Sequence, residues 1–449
     1  MKYLIGLDIG TSSVKGVLMT TEGDVIKTAR CGFSYTKLEG GGLEIAAEDF
    51  TSVCVRTIKE LAQGAAGDIC GICAASASGN LLVLDEENKP ATPIFNWQDS
   101  RVTTEATEIL GELDTDALYR RTGWPFDYTT FPLALLCYVK KHEPQKLKNC
   151  GKVCMSTEYL YYCLTGKWGI STSAGTPFYL IDQQTGQYIP ELLNALEITE
   201  EQLPPVLPCG SVLGGTLPEM EKACGLPAGT PVVLGSFDHP SAARGVGVLN
   251  EGEMLLSCGT SWVGFFPIKD REKAASAKAL IDPFLAPVGG CWATMVSVSS
   301  LSERIQLYTN RYIDDSDKAF QILADLAAKS KAGANGLSLC LTEDPDDANV
   351  LKYEKTDIAR AIMEGTVLLL KAKLDNLAQV GIKATSAVMV GGPSENPMWL
   401  RLIEEICGIT GKTIHGSSAG AVGAAMMAGI GTGIYRNEAE ANAICNKKE

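Results

Sequence analysis

A chain of 449 residues is long enough for two or three domains, each with a full core. Its 45% hydrophobic and 20% charged residues are ordinary for a globular protein. The 39 basic and 53 acidic residues leave a net charge of −14, which argues against nucleic acid or an anionic membrane as partner, because both reward basic surface.

The N-terminal MKYLIGLDIG runs directly into a strand and carries no cleavage site. No run of about 18 apolar residues suggests a membrane span. A cytoplasmic protein is expected, and its 15 scattered cysteines read as reduced core thiols. Cys70 and Cys73 form a CxxC inside an apolar strand, where a spacing of three points them to opposite faces. That context is core rather than a metal or redox site.

The first 30 residues read strand, turn, strand, turn, strand, with Thr21-Glu22-Gly23-Asp24 as the second turn. A helix is predicted over 47–62, with Glu48 and Asp49 favourably placed in its first turn. Strands are predicted near 69–75 and 81–84. A loop with Pro90 and Pro93 then leads to Phe95-Asn96-Trp97-Gln98-Asp99. Residues 101–200 are mostly helical in pattern, and the Pro- and Gly-rich stretch 204–230 reads as a surface connection. The strand 231–235 delivers Ser236-Phe237-Asp238-His239-Pro240, ahead of a helix beginning at Ser241 and a second hairpin over 253–266. Helices dominate from 316 on, broken by a strand at 386–390. The small-residue stretch 420–433 reads as a helix packed closely on its neighbours. Alternating strands and helices, with an antiparallel hairpin at the front of each half, predict a duplicated mixed-sheet α/β fold divided at 243 into domains 1–243 and 244–449.

The two hairpins share a tripeptide. Gly10-Thr11-Ser12 interrupts the first and Gly259-Thr260-Ser261 the second. Glycine allows a tight turn and close backbone approach, and the hydroxyls stand beside exposed N–H groups, which is a way to hold a phosphate. Asp8 lies two residues before the first turn, where the second has Ser257. A carboxylate beside a phosphate repels it unless a cation sits between, so Asp8 is a candidate Mg²⁺ ligand; a turn-capping role is the alternative. Lys15 reads either as a phosphate contact or as a solvated strand residue. Asp238, at a strand end, suits a general base that takes a proton from an attacking hydroxyl, or a helix N-cap. His239 beside it is a candidate substrate contact. Trp97 and Asp99 either pair a flat ring with a carboxylate, as polyol sites do, or are a core Trp beside a solvated loop. Gly391 and Gly392, between a strand and a helix, let a flat or anionic ligand touch the backbone.

Seven segments in order, DIGTSSVKG, NWQDSR, GSFDHPSAARGVG, LSCGTSWV, DIARAIMEG, GGPSENPMW and AGAVGAAMMAG, resemble those of the FGGY carbohydrate kinases, and the resemblance covers nearly the whole chain. It implies two ribonuclease-H-like domains of the actin, hexokinase and Hsp70 superfamily around an ATP cleft. It implies transfer of the γ-phosphoryl of Mg²⁺-ATP to a hydroxyl of a small sugar or polyol, a ketose such as xylulose on family frequency. Asp8 would be the magnesium-associated acid and Asp238 the catalytic base. Gly10, Thr11, Ser12 and Lys15 would serve the first phosphate loop, Gly259 and Thr260 the second, and Gly391, Gly392 and Asn396 the adenosine site. Asn80, Trp97, Asp99, Asp238 and His239 would face the acceptor. A homodimer is consistent with the resemblance. The stretch Ala75 to Asn80 matches none of the xylulose, glycerol or ribulose kinase patterns, Leu135 and Tyr138 stand where the family has Lys and Trp, and 337–357 is shorter than usual. Two other readings are an ATPase of the same superfamily that acts on proteins, and a sugar-responsive binder without phosphotransfer.

Overall fold

Tyr3–Ile9 (β1) is apolar on both faces, as a strand covered from both sides must be. In this computed structural model, which describes residues 1–414 and 418–446, β1 is a central strand. It pairs antiparallel with Ser13–Thr20 (β2), which pairs with Val25–Gly32 (β3). On its other side it runs parallel to Ile69–Ser76 (β4). With Val212–Gly215 (β5) and Pro231–Phe237 (β6) the sheet order is β5-β6-β4-β1-β2-β3. Ile5, Leu7 and Ile9 point into a core with Phe50, Cys54, Ile58 and Leu61 of the helix Ala47–Ala62. Leu4 and Val17 point the other way, onto Ala421, Ala424 and Ala425 of the helix Ala419–Gly431.

A second sheet repeats this plan. Glu253–Cys258 (β7) and Trp262–Ile268 (β8) form its hairpin, and Leu280–Asp282 (β9), Trp292–Val298 (β10), Ser386–Gly391 (β11) and Thr410–Thr413 (β12) complete the order β9-β10-β8-β7-β11-β12. Here β10, β8, β7, β11 and β12 match β3, β2, β1, β4 and β6 in order and direction, with antiparallel pairs on one side of β7 and parallel pairs on the other. The helix Lys355–Gln379 occupies the connection between β10 and β11. The duplicated mixed sheet read from the sequence is therefore present.

The chain divides into two compact units. One comprises Met1–Gly247, Asp282–Gly290 and the described residues from Ser418 on; the other comprises Val248–Ile281 and the described residues from Cys291 to 414. The division expected at 243 falls close to the first crossing, but domain 244–449 is not one unit. The helix Ala419–Gly431 packs on β1, where a Cβ on Gly6 would lie 1.9 Å from the Ala421 carbonyl oxygen, and on the helix Asp238–Gly245. A Cβ on Gly423 would lie 1.8 Å from the Ser241 carbonyl oxygen. The presumed connection 204–230 also carries β5 and a helix, Pro218–Cys224. A register shift beside Tyr3 falls at Cys70, so Cys70 and Cys73 pack in the same cluster rather than on opposite faces. All 15 cysteines are free, and no helix among the described residues is long and apolar enough to cross a membrane.

Candidate active site

The carboxyl ends of parallel strands are where open α/β sheets present ligand-binding groups. In the first unit Ile9 aligns with Ser76 and Phe237 aligns with the same Ser76, so Asp8 and Asp238 come to one end of one sheet. Asp238 opens the helix Asp238–Gly245, where the helix dipole favours a carboxylate. Phe237 takes the N-cap position, and Asp238 Oδ1 accepts from the His239 amide at 2.7 Å. His239 Nε2 stands 3.9 Å from the same oxygen. Burial first, then the negative charge of Asp238, push the Asp8 carboxyl up to about 7, against the opposing pull of Lys15. Lys15 faces Asp8 directly across the hairpin.

The first turn is closed by a hydrogen bond from the Gly10 amide to the Ser13 carbonyl at 3.0 Å. Thr11 Oγ1 accepts from Trp97 Nε1 at 2.9 Å, which ties the Trp97 loop to the turn and leaves the hydroxyl proton free to be donated. Ser12 is exposed. Behind Asp238, the Phe237 amide donates to Ser173 Oγ at 3.2 Å, and Ser173 Oγ donates to Asp282 Oδ2 at 2.9 Å. Asp282 is fully buried and also accepts from the Phe284 amide at 2.7 Å. This chain of bonds fixes the strand end that carries Asp238.

Two expected acceptor contacts have other partners. Asp99 is fully buried; Oδ2 accepts from the Leu43 amide at 2.8 Å and Arg101 at 2.7 Å, and Oδ1 accepts from the Arg101 amide and guanidinium. It holds the Trp97 loop in place and presents no surface to a substrate. Asn80 clasps Ser156 at the start of the helix Ser156–Thr165, accepting from its amide at 2.7 Å and donating to its hydroxyl at 2.9 Å.

The second unit holds a cavity of about 860 Å³ at the carboxyl ends of β7 and β11. Gly259, Thr260, Gly392 and Asn396 line it. Its turn closes from the Gly259 amide to the Ser261 carbonyl at 3.1 Å, one residue tighter than the first turn. Asn396 caps the helix Pro397–Cys407, accepting from the Met398 amide at 2.9 Å. Gly391 is not part of the lining. It has φ +98°, and a Cβ there would meet the Cys258 carbonyl oxygen at 2.3 Å, so it lets the two strands meet below the cavity.

Residues 3–245 match the N-terminal domain model, and residues 341–432 the C-terminal domain model, of the FGGY family of carbohydrate kinases. The chain belongs to that family. It is a carbohydrate kinase, a phosphotransferase with the two-domain fold of the actin and hexokinase kind. The autoinducer-2 kinase of Yersinia pestis bv. Antiqua (strain Angola) is 26% identical over 475 residues, covering 96% of this chain and 87% of the relative. The xylulose kinase structure from Rhodospirillum rubrum superposes with a TM-score of 0.85 at 24% identity, covering 96% of this chain and 91% of the other. The gluconate kinase structure from Lactobacillus acidophilus gives 0.88 at 22%, covering 99% and 92%.

The kinase's cavity also has a wall that the motifs missed. Ser302, Gln306 and Asn310 line it from the helix Leu301–Tyr312, beside Phe320 from the helix Ala319–Ala327. The signal was present as a polar stripe at spacings of four in LSERIQLYTN. Leu307 and Phe320 remain 47% and 43% exposed in this lining, which leaves apolar surface open to a flat ring.

Proposed function

We propose that this kinase transfers the γ-phosphoryl group of ATP to a hydroxyl of a small sugar or polyol, with Asp238 as general base. The observation that carries this reading is the placement of Asp238 and Asp8 at the same carboxyl end of one sheet, beside a hydroxyl-bearing turn. Asp238 takes the proton of the acceptor hydroxyl as its oxygen attacks the γ-phosphorus. The new O–P bond forms while the bond to the β,γ-bridging oxygen breaks, and ADP leaves. Gly10, Thr11 and Ser12 donate to phosphate oxygens from the first turn, and Gly259 and Thr260 from the second. Gly392 and Asn396, with the apolar wall of the cavity, bind adenosine.

Asp8 fits a divalent cation. Its side chain is half-buried, accepts no hydrogen bond among the described residues, and feels a second carboxylate. Mg²⁺ held there would neutralise phosphate charge. The relatives' names span neutral and acidic acceptors, and a ketose such as xylulose remains the acceptor we favour.

Asp238→Asn tests the assignment. Turnover in a coupled ADP-release assay is expected to fall by about 10²-fold or more, while ATP binding, followed by calorimetry, stays nearly intact. Normal turnover in that variant would remove Asp238 from the role of base.

A further inference from the structure

Asp282 lies in none of the motifs that mark the site, yet the fold places it directly behind the strand end that carries Asp238. The segment Asp282–Gly290 belongs to the first unit, although the chain on either side of it belongs to the second. Asp282 is fully buried, and Ser173 and Arg244 are each 1% exposed. A carboxylate at such depth needs donors on its oxygens. Oδ1 accepts from the Phe284 amide at 2.7 Å, and Oδ2 accepts from Ser173 Oγ at 2.9 Å.

Both polar groups of the Phe237 residue are tied to this segment. A serine hydroxyl has one proton; with that proton given to Asp282, the Ser173 oxygen is left to accept from the Phe237 amide at 3.2 Å. The Phe237 carbonyl accepts from Ser236 Oγ at 3.0 Å, and Ser236 Oγ accepts from Arg244 at 3.2 Å. Arg244 also donates to the Phe284 carbonyl at 3.2 Å, and its guanidinium lies 4.8 Å over the Phe284 ring. Phe284 is held at φ +38°, a conformation that persists only where the surroundings over-determine it.

The charge on Asp282 decides which way the Ser173 proton points. As a carboxylate, Asp282 only accepts. A proton added on Oδ2 would turn the Ser173 proton away from it, and one added on Oδ1 would oppose the Phe284 N–H. Either costs a bond of the chain. Burial, the largest influence, pushes the Asp282 carboxyl up to about 6, against the Phe284 amide, the Ser173 hydroxyl, Arg244 and His239. Arg244 and His239 face it from the helix Asp238–Gly245. The Cys209 thiol also feels it, and Glu438 stands 3.6 Å from Arg244.

Resting on the kinase reading above, we infer that Asp282, as the carboxylate, is a positioning residue for the base Asp238. Through Ser173 it sets the Phe237 peptide, and so the direction in which Asp238 meets the acceptor hydroxyl. Asp282 touches neither substrate, so its loss slows the chemical step and leaves binding intact.

The test is the pH dependence of kcat, at saturating ATP, Mg²⁺ and acceptor, for the full-length wild type, Asp282→Asn and Ser173→Ala. Asparagine keeps the shape and cannot carry the charge. At about pH 8 both variants are expected to turn over about tenfold more slowly, with KM for ATP and acceptor within about twofold of the wild type. As pH falls through about 6 the wild-type Asp282 takes up its proton, so the gap to Asp282→Asn should close by about pH 5. The ratio of the two kcat values removes any titration the proteins share. Loss of folded protein alone would show in the melting curve and leave that ratio independent of pH. Wild-type kcat in Asp282→Asn at about pH 8, or a ratio that does not change with pH, would overturn the inference; the kinase reading would stand as long as the wild type phosphorylates an acceptor and Asp238→Asn does not at a comparable rate. Should Asp282→Asn fail to fold, Ser173→Ala carries the same test of kcat against KM, and unchanged kcat there overturns the inference equally. Absence of phosphotransfer by the wild type to every acceptor would instead remove the kinase reading, and this inference with it.

Discussion

Glu158 is fully buried, with one oxygen accepting from the Met155 amide at 3.1 Å and the other without a partner. Burial pushes its carboxyl up to about 7 from 4.5. The native state therefore holds this proton longer than the unfolded chain does, and stability falls as pH rises from about 4.5 to about 7. Asp282, raised by burial to about 6, adds a slope of the same sign over a lower window. Glu158→Gln should remove its share of that slope. We expect stability gained by ~1–3 kcal/mol at about pH 8 and little changed at about pH 4. Urea unfolding midpoints of both proteins at the two pH values check this; parallel pH profiles would mean that the Glu158 carboxyl titrates in the native state as it does in the unfolded chain. Residues of this kind mark the limit of sequence reading. Asp8 and Asp238 were legible because an acid in an apolar strand needs a reason to be there. The fate of Asp99 was not, because its partner Leu43 lies far off in sequence and only the fold brings them together.

At the scale of elements, the two hairpins are equal in pattern and unequal in register. Ile9 pairs with Val14, whereas Cys258 pairs with Trp262, so the first turn is one residue wider. The wider turn is the one with a carboxylate beside it. The strand–turn–strand pattern was readable because both hairpins are strongly apolar and flanked by glycine. The one-residue difference was not, because it lies in hydrogen bonding rather than composition. Glycines show the same contrast. Gly423 abuts the Ser241 backbone, whereas a Cβ on Gly392 would meet nothing within 4 Å. Gly423→Ala should destabilise the fold by ~2 kcal/mol or more by forcing two helices apart. Gly392→Ala should leave the unfolding temperature unchanged but raise KM for ATP, because its methyl enters the cavity. Thermal melts and ATP titrations of the two variants separate these outcomes; normal KM in Gly392→Ala would place the nucleotide elsewhere.

Across the whole molecule, one plan is used twice: a three-stranded antiparallel run followed by parallel strands on the far side of the first. In each copy the candidate site residues stand at the carboxyl ends of the first strand and its parallel neighbours. The duplication was legible from two similar hairpins. The return of the chain at Ser418 to the first unit was not, because a small-residue helix carries no sign of which sheet it will cover. The proposed activity is transfer of the γ-phosphoryl group of ATP to a hydroxyl of a small sugar or polyol. Phosphorus-31 NMR of ATP, Mg²⁺ and a panel of such acceptors with the full-length enzyme tests it most directly. ADP and a new phosphate monoester are expected in equal amounts, both forming about 10²-fold or more slowly when Asp238→Asn replaces the wild type. ATP conversion to ADP and inorganic phosphate alone, with every acceptor, would contradict it.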